Sequence, residues 1–338
     1  MGKVKKKQHY VPQCYLEAWA IPDTHQVFVY DKITKQPLKS NIADVASENY
    51  FYDVDFAKLF DDKNCEDLGV DVSDLEKIKK SQPIENFFSD TIEGELSVII
   101  NKIIDNVASL TPWEQDNCFF ISEENKLKLS VQLAYQHIRT KSVRNMLLES
   151  ADCFTQVLKD MKVPEKTIEK YRIEKNDAKA IHAQMIFDDK ELLSSILRFN
   201  TFIWVLGINR TNTDFITSDN PICSQAHIKH DFLSMSALMS KGVEIYYPIS
   251  PKIGLFMFDN YHTFMKKYHK RYCEITKTEL IEHYNFLCAI RSERCVFSSK
   301  NDFSMIDTLN KLGVNLIQSK TSVSWGGNTY YPSLTKGT

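Results

Sequence analysis

The hydrophobic periodicity of the chain changes near residue 200, and this change restricts the fold more than any other feature. Between residues 84 and 198, apolar residues recur at helical spacing, which predicts long helices over about 84–107, 122–162 and 177–198. After residue 200, β-branched and aromatic runs such as TFIWVLGI and GVEIYYPIS alternate with polar turns, which predicts a mainly antiparallel sheet. Helices followed by strands indicate an α+β fold, with long buried helices packed against the sheet.

We expect one domain over residues 1–338, because no low-complexity linker or internal repeat divides the chain. Its N-terminal part, residues 8–60, is expected to contain a short helix and a β-hairpin. The helical middle spans 84–198, and the β-rich part spans 200–300 with closing helices. Residues 61–82 are strongly charged, which is typical of a surface excursion.

Charge, cysteine content and hydropathy narrow the class of protein. The net charge of −2 favours neither nucleic acid nor an anionic membrane, so such a partner needs a local basic patch. The eight cysteines include no CxxC pair, which indicates a reducing compartment without a zinc framework. No apolar run is long enough to span a bilayer, and the sequence contains no P-loop, GxGxxG, GxSxG or HExxH motif. We therefore expect a cytoplasmic protein with no membrane partner.

Polar side chains lie within the apolar faces of the first two predicted helices. Glu85 and Glu93 fall in or beside the apolar stripe of the first helix, where a carboxylate is unfavourable unless it is paired. In the second helix, Gln132, Gln136 and Arg139 share one face with apolar residues. A buried guanidinium requires a partner, and one of the two glutamates is the expected one. These residues can be interpreted either as a structural ion pair between the helices or as a functional cluster. For Glu85 a third interpretation is an acidic residue in the first turn of the helix, stabilised by the helix dipole.

Two further polar groups lie beside prolines. His9 and Gln13 flank a proline that is expected to fix the start of a short helix, so neither belongs to a flexible tail. Histidine titrates near neutral pH, although a histidine hydrogen-bonded within the fold is the plainer interpretation. Ser218, Asp219 and Asn220 end a predicted strand just before another proline. This pattern is typical of a turn, and it would also present side chains to a cleft from a rigid base.

Six motifs occur in order along nearly the whole chain. They are QHYVPQCYLEAW (8–19), IENFFSDTIEGE (84–95), YQHIRTKSVR (135–144), FITSDNP (215–221), YPISP (247–251) and HYNFLCAIRSERCVFSS (283–299). Together they resemble a bacterial family catalogued as domain of unknown function 4238. By this resemblance the family pattern falls on His9, Gln13, Glu85, Glu93, Arg139, Asp219, Asn220 and Asn285. The sequence departs from the pattern at Cys14 and Trp19, and the resemblance implies no established activity.

The first candidate function is a hydrolase, a nuclease or nucleotide-cleaving enzyme with a defence- or toxin-like role. Glu85, Glu93 and Asp219 would hold Mg²⁺ or Mn²⁺, which activates water. His9 would act as general acid or base, and Arg139 would stabilise developing charge. This hypothesis predicts that the catalytic set, His9, Glu93, Arg139 and Asp219, lines one cleft together with Asn220.

Two other functions remain open. In a binding or sensor module, the same groups would recognise a small polar ligand or a nucleotide without chemistry. The partner is not identified, with nucleic acid or a nucleotide as the candidates. The ligand-binding residues would then include Gln13, Gln136, Asn220 and Asn285. In a structural protein, the buried polar network would only specify the fold.

Overall fold

The computed structural model describes residues 4–54, 77, 79–230, 233–234, 237–317 and 321–333. Its helices and mainly antiparallel sheets confirm the predicted α+β class. Most of the charged stretch at 61–82, the predicted surface excursion, lies outside the described residues. Among the helices in these ranges, none has both the length and the apolarity needed to cross a bilayer.

The N-terminal part contains a short helix between small β structures. Strand β1 (Lys7–His9) pairs antiparallel with β4 (Ser47–Asn49), and β2 (Gln26–Asp31) forms the predicted hairpin with β3 (Gln36–Asn41). Helix α1 (Gln13–Leu16) continues as a 3-10 turn at Glu17–Trp19. The preceding proline is the N-cap, with an extended backbone that sets the direction in which the helix begins.

The helical middle contains more breaks than its periodicity predicts. Its helices are α2 (Pro83–Phe87), α3 (Glu93–Ala108), α4 (Pro112–Asn117), α5 (Glu123–Ile138), α6 (Lys141–Asp160), α7 (Glu165–Lys170), α8 (Lys175–Ile186) and α9 (Asp189–Thr201). The predicted helix over 122–162 is interrupted at Thr140, whose extended backbone starts α6. The predicted helix over 177–198 is interrupted at Asp188, whose side chain accepts the backbone N–H groups of Lys190 and Glu191.

The described strands after residue 200 do not form one sheet: they belong to a five-stranded sheet, a four-stranded sheet and two separate two-stranded pairs. The first has the order β12 (Arg271–Ile275), β5 (Ile203–Asn209), β11 (Ile253–Phe258), β10 (Val243–Ser250) and β7 (Cys223–Ala226), and only β12 and β5 are parallel. Strand β6 (Thr217–Ser218) instead pairs with β13 (Cys295–Ser298), which pairs on its other side with β2. The second sheet therefore joins the N-terminal hairpin to the C-terminal part.

Six shorter or closing elements complete the described chain. They are β8 (Lys229–His230), β9 (Leu233–Ser234), α10 (Thr278–Arg291), α11 (Ser304–Lys311), β14 (Val323–Trp325) and β15 (Asn328–Tyr330). One hydrophobic core contains residues from every part of the fold, from Tyr10 to Leu316. The buried Tyr15 of α1 links the two sheets, because its hydroxyl lies 2.5 Å from the Thr217 hydroxyl and donates to the Pro248 carbonyl at 2.7 Å.

Candidate ligand-binding site

Arg139 is the centre of a buried polar cluster at the end of α5. Its side chain is only 1% exposed, and its Nη2 lies 2.9 Å from Oε1 of Glu93, which confirms the predicted ion pair. Nη2 also donates to the His9 carbonyl at 2.5 Å, and Nε donates to the Tyr52 hydroxyl at 3.2 Å. The guanidinium carbon lies 4.0 Å from the centre of the Phe88 ring. Burial opposes the charge, but Tyr52 and Glu93 together raise the pKa of Arg139.

His9 lies beside this ion pair. Its Nδ1 is 3.5 Å from the amide nitrogen of Gln13. Burial lowers the pKa of His9, and the opposing effects of Glu93 and the nearby Ala43 carbonyl are smaller. The lowered pKa favours the neutral form of the imidazole.

Several buried polar atoms of this region have no hydrogen-bond partner among the described residues. They are Arg139 Nη1, His9 Nε2, Gln132 Oε1 and Gln136 Oε1. Gln136 uses its amide N–H on the Tyr10 carbonyl at 3.2 Å, so only its carbonyl oxygen is left over. Buried polar groups are seldom left unpaired in folded proteins, so this set, from the end of α5 and from β1, marks a candidate site.

A π-helical turn between α2 and α3 sets the geometry of the cluster. The turn spans Phe88–Ile92 and inserts one extra residue into an otherwise continuous helix. Phe88 at its start packs against the Arg139 guanidinium, and Glu93 directly after it pairs with the same group. Single π turns inside α-helices occur frequently at functional sites.

A pocket of about 310 Å³ adjoins the cluster. Most of its wall is apolar or aromatic, with contributions from α2, α8 and the segment that follows β4, and it includes Tyr52, Ile84, Ile181 and Phe187. The polar side chains that line it are Asp53, Lys79, Gln82, Glu85 and Gln184. Tyr52 belongs to both regions, because its ring lines the pocket and its hydroxyl binds Arg139.

Among the titratable groups of this pocket, the Glu85 carboxyl group has a strongly shifted pKa. Its side chain is buried, and Nζ of Lys5 is 3.8 Å from Oε1. Burial raises the pKa of Glu85 from 4.5 to about 7, although Lys5 and Arg139 oppose the shift. The carboxyl group can therefore gain or lose a proton near neutral pH.

A second pocket, of about 420 Å³, shares Asp53 and Lys79 with the first. Its lining is more basic, because Lys80 and Lys179 also contribute to it. Burial lowers the pKa of Lys179 to about 8, and its Nζ donates to the Tyr50 carbonyl at 2.5 Å. An amine with this pKa is still mostly protonated at pH 7, and a bound anion would favour the protonated form.

Asp219 belongs to a different group of contacts. Its Oδ1 accepts the backbone N–H of Glu293 at 2.7 Å, and its Oδ2 accepts those of Arg294 and Cys295 at 2.7 and 2.8 Å. Burial raises the pKa of Asp219, and the charge of Lys32 opposes the shift. The carboxylate thus fixes the segment between α10 and β13.

Asn220 and Asn285 also bind backbone groups. The Asn220 amide donates to the Arg291 carbonyl at 3.0 Å. The Asn285 amide donates to the Asp214 carbonyl at 2.9 Å and its oxygen accepts the N–H of Ile216 at 3.0 Å. These contacts position the chain around β6.

The structure therefore assembles the predicted site residues in two groups. His9, Gln13, Glu93, Gln136 and Arg139 lie together, and Glu85 lines the adjoining pocket. Asp219, Asn220 and Asn285 lie around β6 and β13, and no hydrogen bond or ion pair joins them to the first group in the described chain. Tyr10 interacts with both groups, because its carbonyl accepts the Gln136 amide N–H and the charge of Asp219, after burial, raises its pKa.

The predicted metal ligands are not brought together. Among the described residues, no group of three or more histidine, cysteine, aspartate and glutamate side chains is arranged to hold a metal ion. Glu85 and Glu93 adjoin Arg139, whereas Asp219 binds backbone N–H groups. We derive no metal chemistry from these three carboxylates.

Sequence reasoning missed several pocket residues. Tyr52 lies in an aromatic run after β4, and nothing in the sequence distinguishes it from its neighbours. Its contact with Arg139 in the structure shows that it belongs to the site. Lys179 and Phe187 lie on or beside α8, which has an ordinary polar surface in the sequence. The only signal in the sequence for this part of the site was that charged residues flank the aromatic run near Asp53.

The family comparison covers both groups of residues. A family model described as "Protein of unknown function (DUF4238)" matches residues 7–302, from β1 to the segment before α11. No curated protein and no solved structure matches the chain. The chain therefore belongs to the DUF4238 family of proteins of unknown function.

Proposed function

We propose that the protein binds a small ligand that has an aromatic or apolar body and an anionic group, and that nucleotides are the ligand class. The two adjoining pockets carry this proposal. The first offers apolar and aromatic walls with carboxyl and amide groups, and the second offers lysine side chains. Ligand sites are commonly concave and mostly apolar, with a few polar groups that fix orientation.

The proposed orientation follows from the side chains that line each pocket. The base would lie against Tyr52 and Phe187, with Gln82 and Glu85 near its polar edge. The phosphate would lie in the second pocket, near Lys179. Arg139 would act as a positioning residue, because it holds the Tyr52 hydroxyl from the buried side.

Hydrolysis is the second candidate, and the acidity of Glu85 supports it. A carboxyl group with a pKa of about 7 is suited to general acid or base catalysis at neutral pH. In this candidate, Glu85 would transfer the proton at the pocket, and His9, Glu93 and Arg139 would complete the polar environment. Cleavage of a phosphodiester would be one such reaction.

The test of binding uses nucleotides and the corresponding nucleosides in isothermal titration calorimetry. We expect Lys179→Ala to raise the Kd for a nucleotide about tenfold or more, since charged hydrogen bonds contribute about 1.5–3 kcal/mol. The Kd for the nucleoside should change little. Phe187→Ala should weaken both ligands, because it removes part of the shared apolar wall.

The control is Lys175→Ala, an exposed lysine on the same helix that lines neither pocket. Equal weakening by the Lys175 and Lys179 variants, or no nucleotide binding at all, would contradict the proposal. Product analysis of the same mixtures, with and without Mg²⁺ or Mn²⁺, separates the two candidates. Turnover that disappears in Glu85→Gln while binding persists would favour the hydrolase.

A further inference from the structure

A second surface, far from these pockets in the sequence, combines exposed aromatic rings with lysines. The segment from residue 260 to residue 273 contains Lys266, Lys267, Lys270 and Arg271 and no acidic residue. Its central part is the 3-10 helix Thr263–Tyr268, which lies between β11 and β12. The whole chain has a net charge of −2, so this segment is a local excess of positive charge.

The aromatic side chains of the segment are exposed to solvent. Phe264 is 68% exposed, Tyr261 is 53% exposed and Tyr268 is 37% exposed. Single exposed apolar side chains are common on protein surfaces. Here three exposed rings occur within eight consecutive residues, and the rings of Tyr261 and Phe264 both contact the His262 ring, with centroid distances of 5.8 and 6.0 Å. Groups of exposed apolar side chains are typical of contact sites.

Lysine ammonium groups lie beside two of these rings. The Lys241 ammonium lies 5.2 Å from the centre of the Tyr261 ring, and the Lys267 ammonium lies 4.8 Å from the centre of the Tyr268 ring. Lys266 is also exposed. We call Lys241, Tyr261, Phe264, Lys266, Lys267 and Tyr268 the aromatic–lysine patch.

Among the described residues, no ion pair joins Lys241, Lys266 or Lys267 to a carboxylate. Asp259 is buried, and its Oδ2 lies 2.7 Å from Nη2 of Arg198. Glu123 is bound to Lys270, which is outside the patch as defined. Glu274 forms an ion pair with Arg210 at 2.9 Å.

We propose that the aromatic–lysine patch docks single-stranded nucleic acid. Bases of a single strand stack on aromatic side chains in a sequence-tolerant way, while lysines contact the backbone phosphates. The patch offers both kinds of contact, because three exposed rings and three lysines lie in and beside one short segment. An anionic membrane is a poorer match, because the described patch contains no leucine or isoleucine, and two of its three rings carry hydroxyl groups.

The experiment measures fluorescence anisotropy of a short labelled oligothymidylate with the full-length protein at several salt concentrations. We expect saturable binding that weakens as salt rises, because lysines release counterions from the phosphates. The double variant Lys266→Glu/Lys267→Glu should abolish most of the binding and flatten its salt dependence. Phe264→Ala should raise the Kd about tenfold, as expected for loss of one stacked base.

Two matched controls test whether location matters. Lys166→Glu/Lys170→Glu makes the same charge change on exposed residues of α7, and Phe154→Ala removes another exposed ring. Both controls should bind the oligonucleotide like the unmodified protein. Equal losses in patch and control variants would overturn the proposal, as would the absence of oligonucleotide binding.

A vesicle arm addresses the membrane alternative. Vesicles of phosphatidylserine and phosphatidylcholine replace the oligonucleotide in a sedimentation assay. Binding to these vesicles without binding to the oligonucleotide would overturn the proposal. Preferential binding to the oligonucleotide, lost in the patch variants, would support it independently of any ligand in the two pockets.

Discussion

Arg139 connects segments that are far apart in the chain, because it binds the His9 carbonyl, the Tyr52 hydroxyl and the Glu93 carboxylate. Arg139→Ala would leave the Glu93 carboxylate without this donor and would remove one donor from the His9 carbonyl and from the Tyr52 hydroxyl. We expect it to lower the free energy of unfolding by on the order of 3–5 kcal/mol. Chemical denaturation measures this change.

The control for Arg139 is Arg210→Ala. Arg210 pairs with Glu274 at 2.9 Å on the surface, where both side chains are largely exposed. Its removal should change the free energy of unfolding by less than about 1 kcal/mol. Similar small effects of both substitutions would contradict a structural role for the buried ion pair.

The carboxyl group of Glu85 gives the protein a pH-dependent stability. Because its pKa is raised from 4.5 to about 7, its contribution is fully present below pH 4.5 and is lost as the pH rises through about 7. Glu85→Gln removes this titration. At pH 8 we expect the variant to be more stable than the unmodified protein by on the order of 3 kcal/mol.

Melting temperatures of both proteins between pH 4 and pH 9 test this expectation. The two curves should nearly coincide at the acid end of the range and separate as the pH approaches 8. If the two melting temperatures differ by the same amount at every pH, titration of Glu85 does not cause the difference in stability.

Asp219 is now expected to be structural. From the sequence alone, the near-isosteric Asp219→Asn would abolish cleavage and leave stability nearly unchanged. The carboxylate instead accepts three backbone N–H groups, and an asparagine would present its own NH₂ to at least one of them. We expect a loss of about 2–4 kcal/mol in the free energy of unfolding.

The matched control is Asp105→Asn on the exposed face of α3. It makes the same chemical change without buried hydrogen bonds. An Asp219 variant that is as stable as this control would return Asp219 to the list of candidate catalytic residues.

At the scale of elements, the π turn determines which residues meet Arg139. Deletion of Ser89 would convert Phe88–Ile92 into a regular α-helical turn and rotate one side of the helix by ~100° relative to the other. Either Phe88 or Glu93 would then leave the guanidinium. We expect destabilisation on the order of 3 kcal/mol, comparable to loss of the buried pair.

Ser89→Ala is the control for this deletion. It removes the hydroxyl that accepts from Lys5 at 2.9 Å and keeps the number of residues in the turn. A mild effect of the substitution and a severe effect of the deletion, both measured by thermal unfolding, would assign the effect to the geometry of the turn.

The helices were predictable because apolar spacing reports which face is buried. Their breaks at Thr140 and Asp188 were not, since each half keeps an amphipathic pattern. The first break is only an extended backbone at Thr140, and the second is a local capping contact of Asp188. The Arg139–Glu93 pair was predictable because a guanidinium within an apolar face needs a partner. The role of Asp219 was not, because its partners are backbone N–H groups, which leave no trace in the sequence.

At the scale of the whole molecule, our expectation that the chain folds as one domain remains a prediction. Strand β13 lies between β2 of the N-terminal hairpin and β6. A chain that ends at residue 292 lacks this central strand and should lose cooperative unfolding altogether. A chain that ends at residue 317 lacks only β14 and β15 among the described strands and should keep it. Circular dichroism during heating distinguishes these outcomes.

The position of β13 also affects how the protein is synthesised. Its Cys295–Ser298 pairs with the strand that contains Asp31, so the hairpin leaves the ribosome long before its partner strand exists. Until then, one edge of β2 has unpaired N–H and C=O groups that a neighbouring nascent chain could bind. Translation speed and access to chaperones should therefore control the yield of folded protein, even when the finished chain is stable.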